Sequence, residues 1–339
     1  MTDSTTRIEE EWISRIDAHT TMLPNRLRKR ERHLRRWAKR EATTAYRLYD
    51  HDIPEIPLYI DRYNDFLVVS WLIPRGLREW AEHPWEHPWM AAMLTSIASA
   101  LNVPAEHIYV RTRRPTRGQK QYERVSSHEQ SIDVMEHGLQ FRVNLSDYVD
   151  TGLFLDHRPS RQKIRSLAKG KRMLNLFGYT GAFAVHAAAG GAQEVLTLDL
   201  SPNYTAWARE NLDRNGFTDP QRFRSEAVDV MDWLQRDAWK ESKFDLIVLD
   251  PPTTSRSKRM RGTLDVQRDH VWLIERCAEL LAPGGEMLFS TNYRRFRPDA
   301  EAFASFGGLE GQKVEEVTAW SVPEDFPRSR PHRAWWLKA

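Results

Sequence analysis

Met173-Leu-Asn-Leu-Phe-Gly-Tyr-Thr-Gly-Ala-Phe-Ala-Val-His-Ala-Ala-Ala189 is the stretch that decides the fold. Met173–Phe177 is short and apolar, as a strand buried on both faces must be. Gly178 and Gly181 form a turn in which the backbone can bend sharply and approach a ligand closely. Ala182–Ala189 reads as a helix, stopped by Gly190-Gly191. The rhythm of strand, loop and helix then repeats. Glu194–Leu200 is a second strand, and Ser201-Pro202 starts a helix, with Ser as N-cap and Pro in the first turn. Gly216 ends that helix. A third strand precedes Asp229, and Phe244–Leu249 is a fourth. Asp265–Leu281 reads as a long helix ended by Pro283-Gly-Gly285, Glu286–Ser290 as strand five, and Val314–Val322 and Arg333–Leu337 as two closing strands. Apolar strands alternating with helices predict a mostly parallel sheet covered on both faces.

Upstream the pattern differs. Residues 1–41 read as a weakly patterned lead-in followed by a basic helix, in which Leu27, Leu34, Trp37 and Ala38 share one face. Residues 42–140 read as a small strand–helix–strand unit. Short β-favouring runs span Ala45 to Ile73, a helix follows His87-Pro88, and Ile108–Arg113 and Phe141–Leu145 are further strands. The third unit, 141–339, holds the repeating α/β pattern.

The chain has 339 residues, enough for two or three domains, and 40% of them are hydrophobic. It has no apolar run of transmembrane length and no basic-then-apolar leader, so a cytoplasmic protein is expected. One cysteine, Cys277, excludes an internal disulfide and a zinc–cysteine set. Net charge is only +3, but the basic residues are clustered. Nine Lys/Arg lie between Arg26 and Arg40, five between Arg111 and Lys120, six between Arg161 and Arg172, and four between Arg256 and Arg261. Such clusters attract a polyanion by releasing its counterions. The candidate RNA-binding residues are Arg26, Arg28, Lys29, Arg30, Arg35, Arg36, Arg113, Arg114, Arg256, Lys258 and Arg259.

In a doubly wound sheet, ligands bind beyond the carboxyl ends of the strands. Polar residues stand at those ends here. Asp199 ends the second strand, 18 residues past Gly181, where a carboxylate can accept both hydroxyls of a ribose. Asp229 ends the third, placed to meet an adenine amino group. Asp250-Pro-Pro-Thr253 ends the fourth. The turn is Gly-x-x-Gly with Tyr179 inside it, so the dinucleotide fingerprint is absent, as is a P-loop lysine. A cofactor without phosphates, S-adenosylmethionine, suits this set better.

The motifs are longer than these single residues. Tyr148-Val-Asp-Thr-Gly-Leu-Phe-Leu-Asp-His-Arg158, Leu174–Gly181 and Phe244–Thr253 resemble segments of bacterial ribosomal large-subunit methyltransferases of the K/I type. So do Ser257-Lys-Arg-Met260 with Asp265-Val-Gln-Arg-Asp-His270, Asn25-Arg-Leu-Arg-Lys29, Tyr46-Arg-Leu-Tyr-Asp50 and Ile60-Asp-Arg-Tyr63. The resemblance covers roughly residues 22–339, and is strongest to the K half of bifunctional enzymes. It implies a class I S-adenosylmethionine-dependent methyltransferase fold, Rossmann-like with a mostly parallel seven-stranded sheet, preceded by a small α+β domain. It implies methylation of guanine N7 in 23S rRNA, free or in a large-subunit assembly intermediate, with no metal and no membrane. By matching position, the cofactor-binding residues would be Asp156, Arg158, Asn175, Phe177, Gly178, Tyr179, Thr180, Gly181, Asp199, Leu200, Ser201, Asp229 and Val230. Asp250, Pro251 and Pro252 would shape the target pocket, bordered by Asn292. Gly178 stands where the family usually has serine, which removes one polar group from the methionine end. The other half of the bifunctional enzymes has no counterpart in this sequence.

The chemistry agrees with that implication. Guanine N7 has a free lone pair and no hydrogen, so no general base is required. Placing it in line with the methyl group supplies most of the acceleration. Pyrimidine C5 transfer needs a nucleophilic cysteine, and Cys277 reads as a core residue of its helix. Thr253 stands where amino-group methyltransferases carry a stacking aromatic. N7 is hidden in the deep groove of A-form RNA, so the base must be unpaired or flipped out. His157 and His270 read as structural or RNA-facing.

Overall fold

The computed structural model describes residues 2–112, 130–146, 150–236, 243–256, 262–304 and 313–339. Helices α1 (Thr2–Ser14) and α2 (Ile16–Arg40) come first. Strands β1 (Ala45–Asp50), β2 (Leu58–Tyr63), β3 (Phe66–Trp71) and β4 (Ile108–Thr112) then form one sheet in sequence order, with helix α3 (Pro88–Leu101) crossing between β3 and β4. The first three strands pair antiparallel and β3 pairs with β4 in parallel.

This sheet is buried on both faces. On one face, Leu27, Leu34 and Trp37 of α2 join Trp71, Trp89 and Ile97 in a single core. On the other, Ala45, Tyr63 and Val68 belong to the core of the second half of the chain. Helix α2 therefore shares its core with the first sheet and α3. A hairpin, β5 (Ser131–Glu136) and β6 (Leu139–Asn144), puts Val134, Phe141 and Val143 into that same second core. The sequence pattern showed only the second of its strands.

The second sheet contains β7 (Arg172–Leu176), β8 (Glu194–Asp199), β9 (Phe223–Ala227), β10 (Phe244–Leu249), β13 (Leu281–Thr291), β14 (Lys313–Glu316) and β15 (Arg333–Lys338). Their order is β14-β15-β13-β10-β7-β8-β9, and β15 alone runs against its neighbours. This is the seven-stranded, mostly parallel, Rossmann-like class I methyltransferase architecture. The order reverses between β7 and β10, the switch point at which such sheets bind ligands. Helices α4 (Arg158–Leu167), α5 (Ala182–Ala189), α6 (Pro202–Arg214), α7 (Val230–Leu234) and α8 (Val266–Leu280) cover it. Alternate residues face opposite cores: Met173, Val195 and Leu246 one way, Leu174, Leu196 and Ile247 the other. A short two-stranded ladder, β11 (Thr254–Arg256) with β12 (Thr263–Asp265), follows β10. Two expectations shift. Pro283-Gly-Gly285 lies inside β13, at a register break against β10, instead of between helix and strand. The strand expected to reach Val322 stops at Glu316, and Thr318–Ser321 is a helical turn. Among the described residues, no helix is long and apolar enough to cross a membrane.

Arg158 closes the seam between the two halves. It is 2% exposed. Its Nη1 donates to Asp325 Oδ1 at 2.9 Å and its Nη2 to the Ala45 carbonyl at 2.7 Å. Its Nε lies 3.5 Å from Glu136, and Trp37 stacks over the guanidinium. The expectation that Arg158 touches the cofactor is corrected by this geometry: the group points away from the strand tips into the seam. Arg161 grips the same buried Glu136 with two hydrogen bonds of 2.6 and 2.7 Å. Asp50, on β1, accepts the Arg328 and Ser329 amides, tying the loop before β15 to the first sheet.

Candidate active site

One cleft of about 1670 Å³ lies between the first sheet and the carboxyl ends of the second. Asp156, Asn175, Phe177, Gly178, Tyr179, Thr180, Asp199, Leu200, Ser201, Asp229, Val230, Asp250, Pro251 and Pro252 all line it. Gly181 caps the start of α5 just behind, and Arg158 is absent from the lining.

The loop after β7 is bent at Gly181, as its sequence suggests, and at two residues that its sequence does not mark. Positive φ angles fall on Phe177 (55°), Tyr179 (50°) and Gly181 (74°). Gly178 is needed for room: a Cβ there would sit 2.3 Å from Thr197 Cγ2 and 2.7 Å from Asn175 Nδ2. The Gly178 amide donates to Leu198 O at 2.9 Å, and the Thr180 hydroxyl to Gly152 O at 2.5 Å. Tyr179 packs its ring against Phe154 and Tyr204. Asp199 is held by the loop it faces. Its Oδ2 accepts the Tyr179 amide at 3.0 Å and its Oδ1 the Ser201 amide at 2.9 Å. Burial pushes its pKa up, opposed by the amides of Ser201, Tyr179 and Leu200. Asp229 Oδ1 caps α7 by accepting the Met231 amide at 3.0 Å.

Around the Asp-Pro-Pro motif the structure adds Ser290 and His332, which the sequence did not single out, and brings His157 to them. Ser290 donates to Asp250 Oδ1 at 2.6 Å. His157 Nε2 lies 3.5 Å from Asp250 Oδ2 and 3.9 Å from Asp156 Oδ2. His332 Nδ1 is 2.8 Å from that same Asp156 oxygen, and its Nε2 is 3.0 Å from Ser321 Oγ. Asp156, His157 and His332 thus bring ligand-capable atoms within 4.8 Å of one another, although the sequence offered no such set at ligand spacing. Both nitrogens of His332 are engaged, in a hydrogen-bonded chain from Asp156 through His332 to Ser321 on which His157 stacks. Thr253 Oγ1 donates to Asn292 Oδ1 at 2.6 Å.

The cleft separates its charges. Asp199, Asp229 and Asp250 stand at the strand tips and Asp156 in the turn before α4, while Arg75, Arg256, Arg294 and Arg295 line it as exposed side chains. Of these arginines the sequence singled out only Arg256. Arg75, Arg294 and Arg295 sit outside the long basic runs, and nothing local marks them as neighbours. The basic face of α2 lies elsewhere. Arg28, Lys29, Arg35 and Arg36 are exposed there, but Arg26 pairs with Asp52 at 2.6 Å. Arg30 is buried, donating to Leu48 O and Asp325 O, so it is a packing residue and not an exposed RNA contact. Arg113, Arg114, Lys258 and Arg259 lie outside the described residues.

Residues 92–334 match the family of S-adenosylmethionine-dependent methyltransferases. The chain belongs to this family. Its cofactor is S-adenosylmethionine. This methyltransferase is 45% identical, over 96% of its length, to the ribosomal RNA large subunit methyltransferase K/L of Stutzerimonas stutzeri. It is 41% identical over 92% to the protein of the same name from Pseudoalteromonas atlantica. It covers 43% of each, so it spans less than half the length of these curated relatives. In fold it is similar to SMU.776 complexed with SAH (TM-score 0.70, 24% identity, 94% of this chain and 82% of that one). It is also similar to the SAM-dependent methyltransferase from Agrobacterium tumefaciens (TM-score 0.57, 19% identity, 83% and 87%).

The site of this methyltransferase suits a sulfonium donor on its own geometry. Carboxylates at the strand tips favour a cation, and the turn through Gly178 and Tyr179 lines the cleft beside Asp199. The serine that the resemblance implies at position 178 does not fit here without movement. Gly178→Ser is expected to lose about 1–3 kcal/mol of stability, the usual cost of overpacking. Urea unfolding measures it, and an unchanged midpoint would mean that Thr197 and Asn175 give way.

Proposed function

We propose that this methyltransferase modifies N7 of one guanine in 23S rRNA, presented unpaired or flipped out. The observation that carries the reading is the charge separation within one cleft: acids at the strand tips, exposed arginines around them. The acids suit the cationic donor and the cationic purine that transfer creates. The arginines suit the phosphates on either side of a splayed base. The name shared by relatives that align over nearly the whole chain supports an rRNA target in the large subunit, and hence a cytoplasmic place of work.

In this reading Asp199 accepts the ribose hydroxyls, Asp229 and Val230 border the adenine, and Asn175 and Phe177 to Gly181 flank the amino-acid end near Asp156. Leu200 and Ser201 support the ribose side. Asp250, Pro251 and Pro252 form the wall against which the guanine rests. An ionised carboxylate accepts hydrogen bonds and cannot donate them. Asp250 therefore favours guanine, whose N1–H and N2–H₂ are donors, over adenine, whose N1 is an acceptor. N7 transfer asks nothing more than alignment. A covalent route to a pyrimidine carbon is disfavoured, because the chain's one cysteine, Cys277, is buried in α8 with its thiol pushed up by burial. Arg28, Lys29, Arg35 and Arg36 on α2 offer a second basic face for flanking rRNA.

Labelled methyl transfer to unmodified large-subunit rRNA, followed by mass mapping of nuclease fragments, tests the assignment. Label on an exocyclic amine or a ring carbon sinks the N7 reading. A paired Arg294→Ala, Arg295→Ala variant is expected to bind that rRNA more weakly. The slope of log affinity against log salt should become shallower by about 0.7 for each phosphate the variant no longer engages. An unchanged slope would remove these arginines from the RNA path.

A further inference from the structure

We infer that His157 is a positioning residue for the Asp250 carboxylate, its neutral ring wedged between two acids with Nε2 turned toward both. The inference rests on the reading of Asp250 as the wall of the base pocket. It is carried by the geometry around one imidazole. His157 is 5% exposed, and its Nε2 faces Asp250 Oδ2 at 3.5 Å and Asp156 Oδ2 at 3.9 Å. Both neighbours of that nitrogen are carboxylate oxygens. An ionised carboxylate is an acceptor only, so Nε2 must carry the hydrogen. Nδ1 is buried without a hydrogen-bond partner, which is tolerable for a bare acceptor and costly for an N–H. The tautomer is therefore fixed by its surroundings.

The ring is also fixed in place. It stacks on His332 with centroids 4.1 Å apart and planes 12° apart. Phe183 meets it edge-on at 5.7 Å. His332 is itself pinned at both ends, by Asp156 Oδ2 and by Ser321 Oγ. The charged and titratable groups facing His157 are Asp156 beside it in the chain, Asp250 after β10, His332 before β15 and Arg161 on α4. Burial first, and His332 second, push its pKa down to about 4 against the pull of the two acids, so the ring is neutral at pH 7. A neutral donor suits the task. It orients Asp250 from one side while Ser290 holds the other oxygen. It does not neutralise the carboxylate, as an imidazolium would, and so leaves Asp250 free to accept from a base.

The expected result is a split between kcat and affinity. His157→Leu lowers kcat for rRNA methylation about 10- to 100-fold, the scale of effect seen when a reacting group is misplaced by an ångström. KM for rRNA and Kd for S-adenosylmethionine change less than about twofold. His157→Gln supplies an N–H near the same place and restores most of the rate. A leucine variant as fast as wild type, or a glutamine variant as slow as leucine, overturns the inference. If the leucine variant does not fold, nitrogen-15 NMR of the intact protein decides. The His157 ring should show the Nε2–H tautomer at pH 7, and Asp250→Asn should shift its signals. The Nδ1–H tautomer, or no response to Asp250→Asn, is the overturning result. Absence of transfer by the wild-type protein would instead count against the rRNA reading, and the NMR result stands apart from it.

Discussion

Asp199→Ala is expected to weaken S-adenosylmethionine binding by about 100-fold or more. A hydrogen bond to a charged group contributes about 1.5–3 kcal/mol. Two ribose hydroxyls on one carboxylate therefore account for about 3 kcal/mol at the low end, and each 1.4 kcal/mol is about tenfold in affinity. The loop adds to the loss, because the Tyr179 amide is held by the same carboxylate. Asp199→Asn keeps the shape but not the charge and should fall between the two. Burial raises the proton affinity of Asp199. Protons thus compete with the ribose as pH falls, and wild-type affinity should weaken on acidification while the alanine variant shows no such trend. Titration calorimetry measures both. A related sign is the rise in melting temperature that a ligand confers by binding only the folded state; the alanine variant should lose it. Near-normal affinity in Asp199→Ala would place the cofactor elsewhere in the cleft.

The second large effect concerns stability. Arg158→Ala is expected to cost about 3–5 kcal/mol, the typical penalty for removing one partner from a buried ion pair. Asp325 and Glu136 are both fully buried, and Arg158 touches both. Without it, Asp325 loses its cation, and the Ala45 carbonyl loses a donor across the seam. Arg161 still holds Glu136, so the loss should centre on Asp325 and the docking of the first sheet. Urea unfolding and limited proteolysis of the 324–331 loop measure this. Cofactor affinity in the folded variant should stay within about twofold of wild type. An unchanged urea midpoint together with a tenfold loss of cofactor affinity would return Arg158 to the cofactor site.

These two residues mark where the sequence can be read and where it cannot. The place of Asp199 in the cleft was legible because it is set within one βα unit. A buried strand, a carboxylate at its tip and a Ser-Pro helix start follow one another in nine residues, Glu194–Pro202. The turn at Gly178 and Gly181 was legible for the same reason, although the strain falls on Phe177 and Tyr179 and Gly178 serves close packing against Thr197. Arg158 stood in a motif beside Asp156, and its neighbour lines the cleft while it turns inward. Nothing in adjacent residues tells which way each points, because the 3-10 turn into α4 sends successive side chains to different sides. The basic helix illustrates a further limit. Its apolar stripe read as one face of a helix, and the structure packs that face on the first sheet, but Arg30 lies at the edge of the stripe and is consumed by the seam.

The sequence by itself determined the α/β order, the strand tips that carry acids and the family of the chain, because strand periodicity, caps and short motifs are local properties of a polypeptide. Only the tertiary structure decided that Asp250 meets His157 and Ser290, that His332 anchors the histidine pair from the far end of the chain, and that arginines from both halves share one cleft. Those pairings join residues far apart along the chain. Their partners are chosen by sheet order and by the docking of two cores, and neither leaves a trace in the spacing of neighbouring residues.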